Sequence, residues 1–149
     1  MKYAILALLM ALMSVADLCG SASGVGSFSN DDASDWVANE LSGSPQRAVE
    51  RAIKILLESR EYLQVTECSN AVAACEVLAA AQGRPAKDLP PEVAAIAKRM
   101  SQKQSDELRA KAKAAIEKVL KEGELQSLWS DSEHYKDWLA VIDDLKSRI

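Results

Sequence analysis

An alanine-rich apolar segment, AVAACEVLAAA at residues 71–81, constrains the fold of this chain more than any other feature. Small side chains let helices approach one another closely, so a helix of low side-chain bulk is expected where several helices pack together. The segment predicts a helix that begins near Thr66 and ends at Gly83, which is followed by Pro85. Its close-packing face consists of Ala71, Val72, Cys75, Leu78 and Ala79. We therefore expect this helix at the centre of the domain.

The segments before it are also periodic at helical spacing. Asn30 is predicted to cap a first helix that runs through Trp36 and ends at Gly43. Ser44 then caps a second helix with Pro45 at its first position, where the missing N–H costs nothing. The buried face of this second helix is formed by Val49, Ala52, Ile53, Leu56 and Leu57.

The second half of the chain contains three more helical segments. A short helix is followed by a polar junction, Ser101 to Ser105, and by a longer helix that ends at Gly123 with Lys118 on its outer face. A turn presenting Trp129 leads to a last helix that aligns apolar residues from Tyr135 to Ile149. No segment alternates apolar and polar residues as a strand does. The predicted fold class is all-α, a single compact multi-helix domain of about six to seven helices.

The first residues have the composition of a secretory signal peptide. Lys2 is followed by an apolar run from Tyr3 to Met13 and then by small residues. The spacing of small residues allows cleavage after Ala16 or after Ala22. Because a membrane-spanning helix needs about 20 apolar residues, the run is too short for a stable anchor. We expect a leader at residues 1–22, one domain at residues 23–149, and export to the periplasm or out of the cell; an uncleaved anchor or a buried N-terminal helix is the alternative that stays open.

The charge of the chain limits its partners. The 18 Lys and Arg residues against 22 Asp and Glu residues give a net charge of −4, and neither sign gathers in one long block. Nucleic acid and anionic lipid both attract basic surfaces. This composition therefore argues against binding to either.

The three cysteines do not form a disulfide framework. Cys68 and Cys75 lie on one predicted helix. At a rise of 1.5 Å per residue they are roughly 10 Å apart, which is beyond disulfide reach. We interpret them as small buried hydrophobic residues. A bond from Cys19 to either one, if cleavage follows Ala16, and an intermolecular bond both remain open.

The segment from Gly24 to Trp36, GVGSFSNDDASDW, is the most specific motif in the chain. Its two glycines are expected to turn the backbone sharply into the first helix, with Phe28 packed against the body of the domain. Its aspartates lie in the first turn, where the helix dipole favours negative charge. The candidate binding or structural residues are Gly24, Gly26, Phe28, Asn30, Asp31, Asp32, Asp35, Trp36, Trp129 and Trp138.

The same three aspartates are the candidate metal ligands. The spacing of Asp31, Asp32 and Asp35 resembles the aspartate-rich motif that binds magnesium and diphosphate in prenyl-chain enzymes, and three carboxylates within one turn could hold a hard cation. Asp143 and Asp144, on another helix, lack a matching third carboxylate. Capping and the helix dipole explain these residues without a metal, so neither a metal nor a cofactor is predicted.

The remaining candidates are aromatic. His134 is the single histidine, and it is expected to be solvated rather than catalytic. Trp36, Trp129 and Trp138 are more typical of core anchors than of ligand platforms. If all three packed together, they would join the first helix to the last two.

The motif at residues 24–36, GxGxFxNDDAxDW, resembles the opening of a family of small helical proteins known only as domain of unknown function number 4259. The likeness continues through the alanine-rich helix to Pro85 and returns at residues 125–132 and 138–145. The chain differs from the family pattern at Ser23, where a tryptophan is usual, and in its leader, since most members look cytosolic. The resemblance implies no established activity, cofactor or catalytic residue.

These observations favour a small exported helical protein that binds another protein and performs no catalysis. The basis is the lack of a nucleophile–base pair, of metal-ligand spacing, of a phosphate loop and of a basic surface. An immunity-like protein that neutralises a basic toxin is one specific version. Two alternatives stay open: a divalent-metal-dependent enzyme or metal-binding protein using the three aspartates, and a small-ligand carrier with a pocket between the alanine-rich helix and the tryptophans.

Overall fold

The computed structural model describes residues 24–149. The predicted leader, both of its cleavage positions and Cys19 lie outside these described residues. Within them the chain forms seven α-helices and a single isolated bridge between Leu63 and Gly123, with no β-strand. The predicted all-α fold of one multi-helix domain is confirmed.

The helices follow one another with short connections. They are α1 (Asp31–Trp36), α2 (Pro45–Glu58), α3 (Val65–Ala81), α4 (Pro91–Ala97), α5 (Gln102–Glu122), α6 (Glu124–Ser130) and α7 (Tyr135–Arg148). A π-helical turn, Val37–Leu41, continues α1 directly. None of the helices in the described part of the chain is both long and apolar enough to cross a bilayer.

Helix α3 lies at the centre of the domain, as its composition predicts. Every residue from Ala71 to Ala79 is buried. The other six helices all contact α3. A helix that is surrounded on all sides has no polar face, so small residues recur around its whole circumference. The rest of the domain is arranged around this one helix.

Both ends of α3 are fixed by hydrogen bonds. At the start of α3, the Gln64 N–H donates to the Glu67 carboxylate at 3.2 Å. The Val65 N–H donates to the Glu124 carboxylate at 3.0 Å. At the end, Gly83 has a φ of 79°. The N–H of Gly83 donates to the Ala80 carbonyl at 3.0 Å, and the N–H of Arg84 donates to the Ala79 carbonyl at 2.9 Å. This pattern is a Schellman motif, which requires the left-handed residue that glycine supplies.

The ends of α2 differ from expectation in two details. Pro45 is its first residue, as predicted, but the Ser44 side chain makes no capping hydrogen bond. At the other end, Lys118 of α5 is half-buried rather than on an outer face. Its ammonium donates to the carbonyls of Leu56, Leu57 and Ser59 at 3.0, 3.2 and 2.7 Å. These carbonyls at the end of α2 accept no hydrogen bond from within the helix. The Lys118 ammonium therefore acts both as their hydrogen-bond donor and as a positive charge at the negative end of the helix dipole.

Two boundaries in the second half were also predicted wrongly. The expected polar junction at residues 101–105 is helical from Gln102, and Ser105 is buried with its hydroxyl donating to the Ser101 carbonyl at 2.8 Å. The expected turn around Trp129 is helix α6. That helix has seven residues, none of them buried. It is therefore too short to show a helical period in the sequence.

Candidate functional site

The opening motif forms a tight turn that leads into α1. Ser29 N–H donates to the Gly26 carbonyl at 3.0 Å. A Cβ at Gly24 would clash with Ser29 Cβ and would lie 2.6 Å from Ser29 O, so a side chain does not fit there. Asn30 Oδ1 accepts a hydrogen bond from Ala33 N–H at 2.8 Å, so the predicted cap of α1 is present. The turn brings Phe28 against the core, where it is partly buried.

The three aspartates of the motif lie along α1. Asp31 and Asp32 are in its first turn, and Asp32 Oδ1 accepts a hydrogen bond from the Thr66 hydroxyl at 2.9 Å, which joins α1 to the start of α3. Asp35 is exposed. Among residues 24–149 there is no group of three or more His, Cys, Asp or Glu side chains placed to hold a metal ion. Asp35, which was predicted in the first turn, lies beyond it, so only Asp31 and Asp32 face the positive end of the helix dipole.

The three tryptophans lie at two separate positions in the domain. Trp129 and Trp138 stack at 6.1 Å between ring centroids and 12° between planes, and Tyr135 stacks on Trp138 at 6.2 Å and 20°. Trp36 is buried but does not join this stack. Its Nε1 has no hydrogen-bond acceptor among the described residues. Trp36 is therefore not part of the stack of the other two tryptophans, and Tyr135 is its third ring.

A small pocket lies where the ligand-carrier alternative placed one. Trp129 and Trp138 line it together with α3 and the opening motif, and its volume is about 70 Å³. The buried hydroxyl of Ser69 lines it too and has no partner in the described part of the chain. An apolar cavity that binds benzene has a volume of about 150 Å³, about twice that of this pocket. It is too small for an organic ligand.

A much larger cleft lies on the other side of the opening motif. The turn Gly26–Ser29 forms one wall, the segment Pro85–Pro90 forms the second, and the C-terminal half of α7 forms the third. We call it the loop–α7 cleft. Its volume is about 560 Å³. Ligand pockets in proteins span about 300–1,000 Å³, so this cleft is of the usual size.

The floor of the loop–α7 cleft is a buried ion pair between α3 and α7. Glu76, with a side chain 3% exposed, faces Arg148, with a side chain 13% exposed. Nη2 of Arg148 donates to Glu76 Oε1 at 2.9 Å, and Nη1 lies 2.9 Å from Oε2. The hydroxyl of Ser27 donates to the same Oε1 at 3.2 Å. The ion pair thus connects the opening turn, the central helix and the last helix.

Arg148 makes two further contacts. Its Nε donates to Asp144 Oδ2 at 2.7 Å, and its Nη1 donates to the Arg84 carbonyl at 3.2 Å. Burial opposes the charge of the guanidinium, but the carboxylates of Glu76 and Asp144 favour it and raise the pKa of Arg148 above its ordinary value. Arg148 is therefore a fixed cation between two carboxylates.

The other predicted candidates lie away from this cleft. Cys68 and Cys75 are buried, as predicted, and form no disulfide within residues 24–149; burial raises the pKa of both thiols. A thiol held neutral in this way is a poor nucleophile. His134 is partly exposed, with its ring nitrogens 3.6 Å from a Glu133 oxygen and 3.7 Å from an Asp137 oxygen.

The residues predicted from the sequence include part of one wall of the cleft but none of the residues that form its floor. Gly26 and Phe28 were candidates, whereas Glu76, Asp144 and Arg148 were not. One signal was available, because Glu76 is the only charged residue in the apolar segment 71–81. A lone carboxylate in a helix expected to be buried predicts a buried cationic partner. Nothing local in the sequence singles out Arg148 as that partner.

The described chain is therefore a small all-helical domain with a sizeable cleft built around a buried ion pair. A family model for a domain of unknown function, DUF4259, matches residues 21–141. The chain belongs to this family, as its opening motif indicated. The match includes the opening turn and Glu76 but ends before Asp144 and Arg148. Neither a curated protein sequence nor a solved structure matches the chain.

Proposed function

We propose that the chain is an exported, non-catalytic protein-binding module whose docking site is the loop–α7 cleft and whose partner is a basic protein. The observation that carries the proposal is the cleft itself, with a volume of about 560 Å³ and a floor made by the Glu76–Arg148 ion pair. Apolar walls with a few converging polar groups are the usual composition of a binding site.

The charges around the cleft favour a basic partner. The stretch 124–148, which includes all of α7, contains six acidic residues against the three basic residues Lys136, Lys146 and Arg148. The opening stretch 24–46 has four acidic residues and no Lys or Arg. Both stretches contribute walls to the cleft. Complementary charge speeds encounter and selects partners, so a basic protein is the favoured partner, and a neutralised toxin is one such protein.

The walls of the cleft are held in place before any partner arrives. Ser27 is tied to Glu76, and Arg148 is tied to the carbonyl of Arg84, which precedes the second wall. A preformed site loses less conformational entropy on binding than a site that must first become ordered. This supports recognition by fit to an existing surface.

The test is capture of the partner by the tagged chain in its own host, with one variant that fills the cleft and one that does not. Ala140 lines the cleft at an exposed position of α7, whereas Ala114 is exposed on α5 and does not line it. We expect Ala140→Trp to lose a basic partner that the wild type and Ala114→Trp both capture. Capture should weaken as salt is raised. Equal capture by all three proteins, each with an unchanged melting temperature, would contradict the proposal.

A small-ligand carrier is the second candidate, because the cleft falls within the size range of small-molecule pockets. It predicts that the protein purified from its host retains an organic molecule. Native mass spectrometry of wild type and Ala140→Trp decides this. An adduct present in the wild type and absent from the variant would support a carrier, and no adduct in either would remove it.

A further inference from the structure

We infer that the loop–α7 cleft receives an arginine side chain of the basic partner. The inference rests on the proposed function and specifies which group of the partner enters the cleft. Three features of the cleft carry it: its surplus of carboxylates, its aromatic and apolar walls, and its position at the end of α7.

The carboxylates of the cleft outnumber its cations. Glu76, Asp88 and Asp144 line it, against Lys87 and Arg148. Arg148 has its donors directed at Glu76, Asp144 and a backbone carbonyl, so its charge is already paired. The Asp144 side chain is 62% exposed despite that contact. Asp88 is exposed and takes part in no ion pair among the described residues. An incoming cation therefore finds two accessible carboxylates.

The walls match the rest of an arginine side chain. Phe28, Leu89 and Val141 line the cleft and offer apolar surface to a three-methylene stem. Phe28 also supplies an aromatic ring, on which a planar guanidinium stacks. A guanidinium is more weakly hydrated than the ammonium of lysine and can bind one carboxylate with two parallel hydrogen bonds. A cleft that combines carboxylates with an aromatic ring therefore fits arginine better than lysine.

The cleft also lies at the negative end of α7. Its wall is formed by Ala140, Val141, Asp144 and Arg148, and Arg148 is the last residue of the helix. The C-terminal turn of a helix carries a partial negative charge that favours a nearby cation. Helix α7 has 14 residues, so its dipole is developed over several turns. The last turn also carries Lys146 and Arg148, which offset part of this field, so the carboxylates remain the main attraction for the cation.

The probe is a capped amino acid, N-acetyl-arginine amide, added to the ¹⁵N-labelled chain purified from its own host. We expect amide shifts centred on Phe28, Leu89 and Val141. The matched probe N-acetyl-citrulline amide has nearly the same shape without the charge, and N-acetyl-glutamate amide has the opposite charge. We expect both to bind at least about three-fold more weakly, as the loss of a charge-assisted hydrogen bond requires. Equal shifts with citrulline, stronger shifts with glutamate, or shifts located elsewhere would overturn the inference.

Variants separate the two contributions of the cleft. Asp88→Asn should weaken the arginine probe about three- to ten-fold by removing an accessible carboxylate. Phe28→Leu keeps the wall apolar but should remove the preference for arginine over the corresponding capped lysine. Glu107→Gln, an exposed change on α5 outside the cleft, should leave binding unchanged.

The capture experiment keeps this inference distinct from the proposed function. If Ala140→Trp still loses the partner but the arginine probe does not bind in the cleft, the arginine inference is wrong and docking at the cleft stands. If Ala140→Trp captures the partner as well as the wild type does, docking at the cleft is wrong whatever the probe does.

Discussion

Arg148, the last residue of α7, forms an ion pair with Glu76 in the middle of the central helix, with two nitrogen–oxygen distances of 2.9 Å. The pair is the principal polar link between α3 and α7. Burying two charges costs solvation energy, and their attraction offsets that cost only when the geometry is good and the remaining atoms have partners. Here Ser27, Asp144 and the Arg84 carbonyl supply such partners, whereas Glu76 Oε2 lies 2.9 Å from Arg148 Nη1 but makes no hydrogen bond among the described residues. The floor of the cleft is therefore a network rather than a single pair.

Removing one member of the pair should cost far more than removing both. Arg148→Met leaves the Glu76 carboxylate buried without its cation, and we expect a loss of about 3–5 kcal/mol in the free energy of unfolding. Glu76→Gln combined with Arg148→Met should lose less than the sum of the two single changes, because no uncompensated charge remains. Urea denaturation of the wild type, the two single variants and the double variant measures this difference. Strictly additive losses would mean that the pair is not coupled.

Asp144→Asn, which removes the more exposed carboxylate partner of Arg148, should cost about 0–1 kcal/mol.

Lys118 should stabilise the end of α2 through its ammonium. Lys118→Met keeps most of the aliphatic side chain but removes the donor to the carbonyls of Leu56, Leu57 and Ser59. Hydrogen bonds to charged groups are worth about 1.5–3 kcal/mol, so we expect a loss in that range in chemical denaturation. Lys113→Met, an exposed change on the same helix, is the matched control and should cost less than about 0.5 kcal/mol. Equal effects of the two changes would contradict a capping role.

The fold was predictable because its signals are local. The alanine-rich segment with Gly83 after it specifies both the central position of α3 and the residue where it ends, and Pro45 specifies the start of α2. These are properties of helix propensity, packing bulk and backbone conformation within one segment. The same local logic failed for α6, whose seven residues contain no buried one.

The cleft was less predictable because its floor is made by contacts that are distant in sequence. Glu76 and Arg148 are 72 residues apart, and Lys118 caps a helix about 60 residues before it. Which cation meets a buried carboxylate depends on how the helices assemble, and no spacing rule encodes it. The acidic character of the cleft was missed for the same reason, since two acidic stretches far apart in the chain come together only in the folded domain.

The two glycines of the opening motif should differ in their tolerance to alanine. At Gly24 a Cβ would meet the Ser29 backbone carbonyl at 2.6 Å, and the turn cannot yield without moving α1. At Gly26 the closest atom is Ser29 Oγ at 2.8 Å, the end of a side chain that can rotate away. We expect Gly24→Ala to lower the free energy of unfolding by about 1–3 kcal/mol and Gly26→Ala by less than about 1 kcal/mol. Thermal unfolding of both variants checks the order, and the reverse order would mean that the turn is not built as described.

The buried thiols should make the domain less stable at alkaline pH. Burial raises the pKa of Cys75 in the folded protein, whereas an unfolded thiol ionises with a pKa of about 8.5. Below that pH both states hold the proton, and above it only the unfolded chain releases it. The free energy of unfolding should therefore fall by up to about 1.4 kcal/mol per pH unit for this thiol. Urea denaturation between pH 7 and 9.5 should give a shallower decline for Cys75→Ala than for wild type. Identical slopes would mean that the Cys75 thiol ionises equally in both states.

Export should be visible in the mass of the protein made by its own host. Cleavage after Ala16 or after Ala22 leaves the opening motif, which begins at Gly24, on the mature chain. The two positions differ in consequence, because the family match begins at residue 21 and only cleavage after Ala16 retains all of it, together with Cys19. We expect intact-mass spectrometry of the C-terminally tagged protein to give a loss of residues 1–16 or 1–22. A substitution of both Ala16 and Ala22 by Arg should then return the mass to that of the full chain, since small residues are required at the cleavage site. A full-length mass for the unmodified protein would contradict export by signal-peptide cleavage and would direct the search for the basic partner to the compartment of synthesis.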